Sequence, residues 1–260
     1  MLAENVDAIV RTTLGDSASP SIRNPLDATR RVRAVLFDVD GTLYRQPRLR
    51  AFMGLELATL ALRRPLQAPV SWRVLSEFRK AQEVLRSSLD RCDATGQLAV
   101  AARRTGLSVD QVEAIVAEWM LERPLKYLPR CRAEGLLGLL DFLRDRQIRV
   151  GVFSDYPSQS KLEALGIGGR FSLVLCSTDS EIGVFKPHPR GFLFASSRWQ
   201  LDPSEVLVVG DRVDADARGA AAAGMPCVII GRPTPRESGE FVSFVSLERL
   251  RDALDDDHSR

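Results

Sequence analysis

Short apolar runs recur along the chain, and each is followed by a polar residue or a glycine. The clearest lie at 32–37, 149–153, 206–209 and 227–230, and a weaker one lies at 171–176. Their length and their β-branched residues predict strands. Because polar residues hardly interrupt these runs, we expect the strands to be buried on both faces, as in a parallel sheet.

Segments with helical periodicity fill the intervals between these runs, at 133–146, 189–200 and 214–223. The last of them begins with acidic residues and ends before a Gly-Met-Pro sequence, which are typical start and stop signals of a helix. A further strand is predicted at 241–245 and a closing helix at 247–254. This alternation predicts an α/β fold with a doubly wound parallel sheet.

The spacing of the polar strand ends predicts an insertion. These ends fall at Asp38, Ser154, Lys186 and Asp211. The last three are 32 and 25 residues apart, about one strand–helix unit each, whereas the first gap spans 116 residues. A separate structural unit is therefore expected after the first strand.

Helical patterns at 49–63, 71–89 and 108–122 occupy most of that gap. We therefore predict an α/β core formed by residues 31–44 and 131–260, with a smaller all-helical cap at 45–130.

Two further regions complete the predicted organisation. Residues 1–30 are expected to form an N-terminal extension with one short amphipathic helix over 3–14. Within the cap, Trp72 and Phe78 recur at helical spacing, and we predict that both are core residues rather than parts of a binding site.

Composition narrows the functional classes. The 36 basic and 34 acidic residues give a net charge of +2 and form no basic stripe, so no nucleic-acid partner is expected. No apolar stretch is long enough to span a membrane. The four cysteines lack metal-ligand spacing, and Cys176 and Cys227 are predicted to be small core residues. With no signal-peptide pattern, we expect a cytoplasmic protein.

Lysines are rare among the basic residues. Only four of the 36 are lysines, namely Lys80, Lys126, Lys161 and Lys186. A compact ammonium and a planar guanidinium are not interchangeable at a tight site, so a retained lysine favours a specific role.

The polar strand ends indicate a type of chemistry. In parallel α/β sheets, ligands bind beyond the carboxyl ends of the strands, where these residues would converge. Two acids suit one Mg²⁺ ion, which prefers carboxylate oxygens, water and phosphate. A hydroxyl and an ammonium can hold phosphoryl oxygens, and phosphoryl transfer depends mainly on positioning and charge neutralisation. The set therefore predicts a phosphoryl-transfer site.

The same residues lie in four motifs at 37–43 (Phe-Asp-Val-Asp-Gly-Thr-Leu), 152–154 (Val-Phe-Ser), 185–187 (Phe-Lys-Pro) and 209–216. In this order they resemble the haloacid dehalogenase (HAD) superfamily, in its phosphatase branch. The helical insertion resembles the cap that this family places between its first and second motifs. The resemblance implies a Mg²⁺-dependent hydrolase that cleaves a small phosphorylated metabolite through an aspartyl-phosphate.

The resemblance also implies four catalytic residues. Asp38 would attack phosphorus, and Asp40 would protonate the leaving oxygen and then activate water. Ser154 would donate a hydrogen bond to a phosphoryl oxygen. Lys186 would neutralise the phosphate and favour the ionised form of Asp38.

Binding sites for the phosphate and for Mg²⁺ follow from the same resemblance. The implied phosphate-binding residues are Gly41, Thr42, Ser154, Asp155 and Lys186. The implied metal ligands are the Asp38 carboxylate, the Asp40 backbone carbonyl, Asp211 and Asp216. Asp214 is the alternative second acid of the fourth motif, or else a cap of the helix that follows.

An acid at position 40 distinguishes among the reactions that members of this family catalyse. A dehalogenase needs neither Mg²⁺ nor an acid there, and a phosphonate-cleaving relative typically has a small residue at that position. A sugar-phosphate mutase keeps both acids and remains a rival, although the cap contains no histidine. The other rival is a non-catalytic HAD-like binding module, although no motif residue is missing.

The substrate and the oligomeric state stay open. Three arginines, Arg45, Arg48 and Arg50, follow the first motif near the expected hinge of the cap. Our hypothesis is that one of them contacts an anionic part of the substrate; the alternative is a solvated basic surface.

Overall fold

The structure is a computed structural model that describes residues 32–88, 94–231 and 241–258. The helix predicted at 3–14, the rest of the N-terminal extension and Cys92 lie outside the described residues.

In the part of the chain that the structure describes, six parallel strands form one sheet. They are β1 (Ala34–Phe37), β2 (Arg149–Ser154), β3 (Leu173–Cys176), β4 (Val206–Gly210), β5 (Cys227–Ile230) and β6 (Val242–Phe244). Their order is β3-β2-β1-β4-β5-β6, and every neighbouring pair is parallel. The predicted strands and the α/β fold are thus confirmed. The order reverses beside β1, which creates a topological switch point between β1 and β4.

The helices mostly follow the predicted periodicity. In chain order they are α1 (Gln46–Arg63), α2 (Gln67–Ser88), α3 (Ala94–Thr105), α4 (Val109–Val116), α5 (Leu128–Cys131), α6 (Leu136–Asp145), α7 (Gln159–Ala164), α8 (Arg190–Trp199), α9 (Arg218–Ala222) and α10 (Leu247–His258). No helix among the described residues is long and apolar enough to cross a bilayer.

Helices cover both faces of the sheet because side chains alternate along each strand. On one face, Val35 and Phe37 pack in a cluster with leucines of α6, α7 and α10. On the other, Ala34 and Leu36 pack with α8 and α9. Burial on both faces explains why the strand sequences are apolar throughout.

The cap helices α1 to α5 lie between β1 and β2 in the chain. Residues of α2, α3 and α4 form a third apolar cluster that includes Val74, Phe78 and Val112. The backbones of Tyr44 and Arg132 form an antiparallel bridge, so the chain leaves and rejoins the core side by side. The exact domain limits remain a prediction.

The cap helix expected over 108–122 is helical over nearly that range, as α4 to Val116 and then as a π-helix at Ala117–Glu122, and a 3-10 helix follows at Arg123–Tyr127. One prediction about the cap was wrong. Trp72 is 62% exposed and is not a core residue, although Phe78 is buried. Periodicity identifies an apolar face of a helix, but it does not show whether another element covers that face.

Candidate active site

The turn after β1 brings the first and fourth motifs into contact. The Asp38 amide donates a 2.8 Å hydrogen bond to the Val209 carbonyl of β4. Gly41 has a φ of +110°, and a Cβ placed there would lie 2.1 Å from Oδ2 of Asp211. Both the left-handed backbone and the missing side chain are therefore required for this close approach.

Lys186 connects two acids from opposite ends of the sequence. Its Nζ lies 2.8 Å from Oδ1 of Asp38 and 2.9 Å from Oδ1 of Asp216, and the residue is only 2% exposed. The expectation that Lys186 ends a strand was wrong, because β3 stops at Cys176 and Lys186 lies in the loop before α8.

Asp155 holds that loop in place. Its Oδ1 accepts hydrogen bonds from the Ser177 hydroxyl at 2.7 Å and from the Lys186 amide at 3.2 Å. Asp155 is one of the predicted phosphate-binding residues. Because its carboxylate is engaged with protein donors, its backbone amide is the group left for that predicted role.

Three carboxylates converge beside this lysine. One oxygen from each of Asp38, Asp211 and Asp216 lies within 4.8 Å of the others. Asp216 is buried, and its second oxygen accepts a hydrogen bond from the Arg212 amide at 3.1 Å. Asp214 is exposed, pairs with the Arg212 side chain and does not cap the following helix. The structure therefore brings Asp216, and not Asp214, into the acidic group.

Asp40 has two partners that sequence reasoning missed. Its Oδ1 accepts hydrogen bonds from Tyr44 Oη at 2.6 Å and from Lys161 Nζ at 2.5 Å. Lys161 lies on α7 and is buried. The scarcity of lysine was a usable signal, since two of the four lysines, Lys161 and Lys186, lie in this site.

The remaining predicted residues lie nearby. Thr42 Oγ1 donates to Oδ2 of Asp38 at 3.2 Å, and Ser154 is buried at the end of β2, where its Oγ accepts the Tyr156 amide at 3.3 Å. The arginines near the hinge have local partners: Arg45 pairs with Glu134, and Arg50 donates to Gln46. Their proposed contact with substrate stays a prediction.

The cap reaches the site through α2. Arg86 Nη2 lies 2.5 Å from Oδ2 of Asp155, and Gln82 Nε2 lies 3.3 Å from the same oxygen. Tyr156, which follows the second motif, donates to Oε1 of Gln82 at 2.7 Å. The second motif is thus linked to the cap by side chains that periodicity had not singled out.

Burial and mutual repulsion shift the acidity of these groups. Burial raises the pKa of Asp38 well above its ordinary value; Lys186 opposes the shift, and the neighbouring acids reinforce it. The predicted influence of Lys186 thus has the expected sign but is outweighed. Burial, helped by Asp216, raises the pKa of Asp211 to about 6. Burial alone would raise the pKa of Asp40, but Lys161 and Tyr44 hold it below its ordinary value.

We call these groups the site cluster. It comprises the carboxylates of Asp38, Asp40, Asp211 and Asp216 and the ammonium groups of Lys161 and Lys186. With every group ionised, four negative and two positive charges leave −2. Oxygen ligands with this surplus suit a hard divalent cation. The close packing at Gly41 keeps the first-motif turn against one of these acids.

Comparison with known proteins agrees with this geometry. The profile of the haloacid dehalogenase-like hydrolase family matches residues 32–224. The chain is 31% identical over 234 residues to a glyceraldehyde 3-phosphate phosphatase of Methanopyrus kandleri, covering 86% of this chain and 96% of that one. It is 29% identical over 240 residues to a phosphoglycolate phosphatase of Salmonella typhi, covering 86% and 90%.

A solved structure gives the same result for the fold. The HAD phosphatase of Thermococcus onnurineus aligns with a TM-score of 0.59 at 25% identity, covering 86% of this chain and 98% of that one. With the four motifs assembled at one edge of the sheet and a family match over most of its length, this chain belongs to the haloacid dehalogenase-like hydrolase family.

Proposed function

We propose that this protein is a Mg²⁺-dependent phosphatase that hydrolyses a small phosphomonoester through an aspartyl-phosphate on Asp38. The observation that carries the proposal is the charge surplus of the site cluster at the switch point of the sheet. Mg²⁺ held by Asp38, the Asp40 carbonyl, Asp211 and Asp216 would neutralise that surplus and the charge of a phosphoryl group.

Asp38 would form and break the bond to phosphorus, and Asp40 would transfer the protons. A carboxylate oxygen of Asp38 forms a bond to phosphorus while the ester P–O bond breaks, and the Asp40 carboxyl gives its proton to the leaving oxygen. Asp40 then takes a proton from water, whose oxygen attacks phosphorus and releases Asp38 and phosphate. Lys186, which already donates a hydrogen bond to Asp38, would hold the nucleophile in place and neutralise negative charge on the phosphoryl group.

Asp40 must carry a proton in the first step, although its pKa in the free protein lies below the ordinary value. A phosphate bound beside it adds negative charge, which raises the pKa of a neighbouring carboxyl. Substrate binding itself therefore helps to prepare the acid.

The named relatives support the substrate class. Glyceraldehyde 3-phosphate and phosphoglycolate, the substrates in the relatives' names, are small phosphorylated carbon compounds. We propose the same class here, with specificity set by the cap next to Asp155, where Arg86 and Gln82 meet the core.

A metal-dependent assay tests the proposal. We expect hydrolysis of p-nitrophenyl phosphate that requires Mg²⁺, and faster hydrolysis of at least one member of a panel containing glyceraldehyde 3-phosphate, phosphoglycolate and phosphoserine. Asp38→Asn should lower the rate at least about 10³-fold because it removes the nucleophile. Asp214→Asn, at an exposed position outside the acidic group, is the matched control and should keep the wild-type rate. Equal, negligible rates in wild type and Asp38→Asn would overturn the proposal in favour of a non-catalytic module.

A further inference from the structure

We propose that Lys161 and Tyr44 are positioning residues that hold Oδ1 of Asp40, so that Oδ2 is the oxygen that meets the leaving group. This inference rests on the proposed function, because it assigns a task to the neighbours of the proposed acid.

Both donors bind the same oxygen of Asp40. The distances are 2.6 Å from Tyr44 Oη and 2.5 Å from Lys161 Nζ. Within the described residues, both side-chain hydrogen bonds to Asp40 end on Oδ1. Two donors converging on one carboxylate oxygen restrict rotation of the carboxylate plane and leave the second oxygen for another partner.

The burial of the three side chains differs in the way this task requires. Lys161 is 7% exposed and Tyr44 is buried, whereas the Asp40 side chain keeps 21% of its exposure. The donors are thus more buried than the carboxylate, which keeps access to solvent.

Both donors are fixed by separate elements. Tyr44 lies where the first-motif turn ends, and its backbone is bridged to Arg132. Lys161 lies within α7, where its carbonyl accepts the Leu165 amide at 2.9 Å. Two rigid supports from distant parts of the chain can hold a side chain within the tolerance that proton transfer requires.

Stability alone is a weak explanation for this arrangement. Burying an ammonium costs solvation energy that an ion pair seldom recovers in full, and apolar residues of similar size are often as stable. A buried lysine against the proposed acid is therefore better explained by function, in a chain where arginine supplies most of the basic residues.

Leaving groups of different basicity test the proposal. Phenolate leaves poorly without a proton, whereas p-nitrophenolate needs little assistance, and the two esters differ little in shape. We expect Lys161→Met and Tyr44→Phe to lower kcat/KM for phenyl phosphate about tenfold more than for p-nitrophenyl phosphate, because a misaligned acid matters most for the poorer leaving group. Lys161→Arg, which retains a charged donor, should recover part of the loss on phenyl phosphate.

Lys80→Met is the matched control. Lys80 is exposed on α2 and pairs with Glu77, so this variant should leave both kcat/KM values unchanged. Thermal unfolding and Mg²⁺ titration of each variant separate misalignment from loss of the fold. Should Lys161→Met fail to fold, Tyr44→Phe still decides, since it removes a single hydroxyl.

Two results would overturn the inference, and they are distinguishable. If the wild type is active and Asp38→Asn is not, but every variant loses equally on both esters or loses nothing, only the positioning role fails. If the wild type shows no hydrolysis that depends on Mg²⁺ and Asp38, the proposed function fails and the positioning role fails with it.

Discussion

Two groups of charged side chains lie in the two parts of this molecule, one at the carboxyl ends of the core strands and one in the cap. In the second, which we call the cap cluster, Arg123 pairs with Glu56 at 2.8 Å and with Glu118 at 2.6 Å, and Lys126 also pairs with Glu56. These two acids and two bases balance, and the side chains are partly exposed. The site cluster is more buried and carries two more acids than bases.

The difference separates two uses of charge. Balanced pairs near solvent contribute up to about 1 kcal/mol each to stability and need no ligand. A buried surplus of like charge opposes folding, and burial together with neighbouring acids raises the pKa of Asp38 and of Asp211. Such a buried surplus is tolerated because a bound ligand of opposite charge can neutralise it. Balance and burial together therefore distinguish a binding site from a stabilising network.

Removing one lysine from each cluster should give the largest contrast. Lys186→Met leaves Asp38 and Asp216 without their shared partner. We expect activity to fall about 10³-fold or more and the free energy of unfolding to fall by about 3 kcal/mol at neutral pH. Part of that stability should return at acidic pH, where the carboxylates take up protons. Lys126→Met in the cap should change the stability little, because this lysine is exposed, and should leave the rate unchanged. Similar losses of activity in both variants would contradict the comparison.

Two glycines with positive φ give the next contrast. Gly41→Ala should displace Asp211, because the new Cβ would lie 2.1 Å from its Oδ2. We expect the Mg²⁺ affinity, measured by calorimetry, to fall about tenfold or more, along with a stability loss of about 2 kcal/mol. Gly106, in the cap, has a φ of +75°, and no atom lies within 4 Å of a Cβ placed there. Gly106→Ala should therefore lower the free energy of unfolding by about 1 kcal/mol through backbone strain alone and leave Mg²⁺ binding unchanged.

The pKa of Asp211 predicts how Mg²⁺ binding depends on pH. Because burial and Asp216 raise this pKa to about 6 in the metal-free protein, a proton competes with the cation below that pH. The contribution of Asp211 to the affinity should rise by up to about tenfold per pH unit between about pH 5 and 6 and level off above about pH 7. Affinity that is independent of pH over this range would contradict this competition between the proton and the cation at Asp211.

The pKa of Glu56, in the cap cluster, is shifted in the opposite direction to that of Asp211, and we expect its substitution to have the smallest effect on stability and activity. Hydrogen bonds from Lys126 and Tyr127 lower the pKa of Glu56 from 4.5 to about 2. A lowered folded-state pKa contributes stability above the unfolded value that is lost as pH falls. Glu56→Gln should therefore cost about 1 kcal/mol at pH 7. The difference from wild type in urea unfolding should shrink as pH falls from about 4.5 toward 2. The rate with Mg²⁺ at neutral pH should not change.

The helix of the fourth motif begins in a geometry that periodicity did not predict. The predicted helix at 214–223 begins as a π-helix at Val213–Ala217 before α9. That turn places Asp216 beside Lys186 and Asp214 on the surface. Both acids suit a helix start equally well, so helix signals alone do not separate them. Packing against the sheet does, in favour of Asp216, which the resemblance implied.

Sequence alone was sufficient for the parallel sheet, the inserted helices and the four motifs. The reason is that these depend on local periodicity and on residue types that one kind of chemistry requires. Asp38 and Lys186, which are 148 residues apart, could be named as partners because the motifs that contain them resemble those of one family. The Lys161–Asp40 contact and the exposure of Trp72 were decided by tertiary structure alone, which also places Asp216, the acid that the resemblance implied, beside Lys186. Each depends on which side chain from a distant element fills a space, and neither composition nor periodicity contains that information.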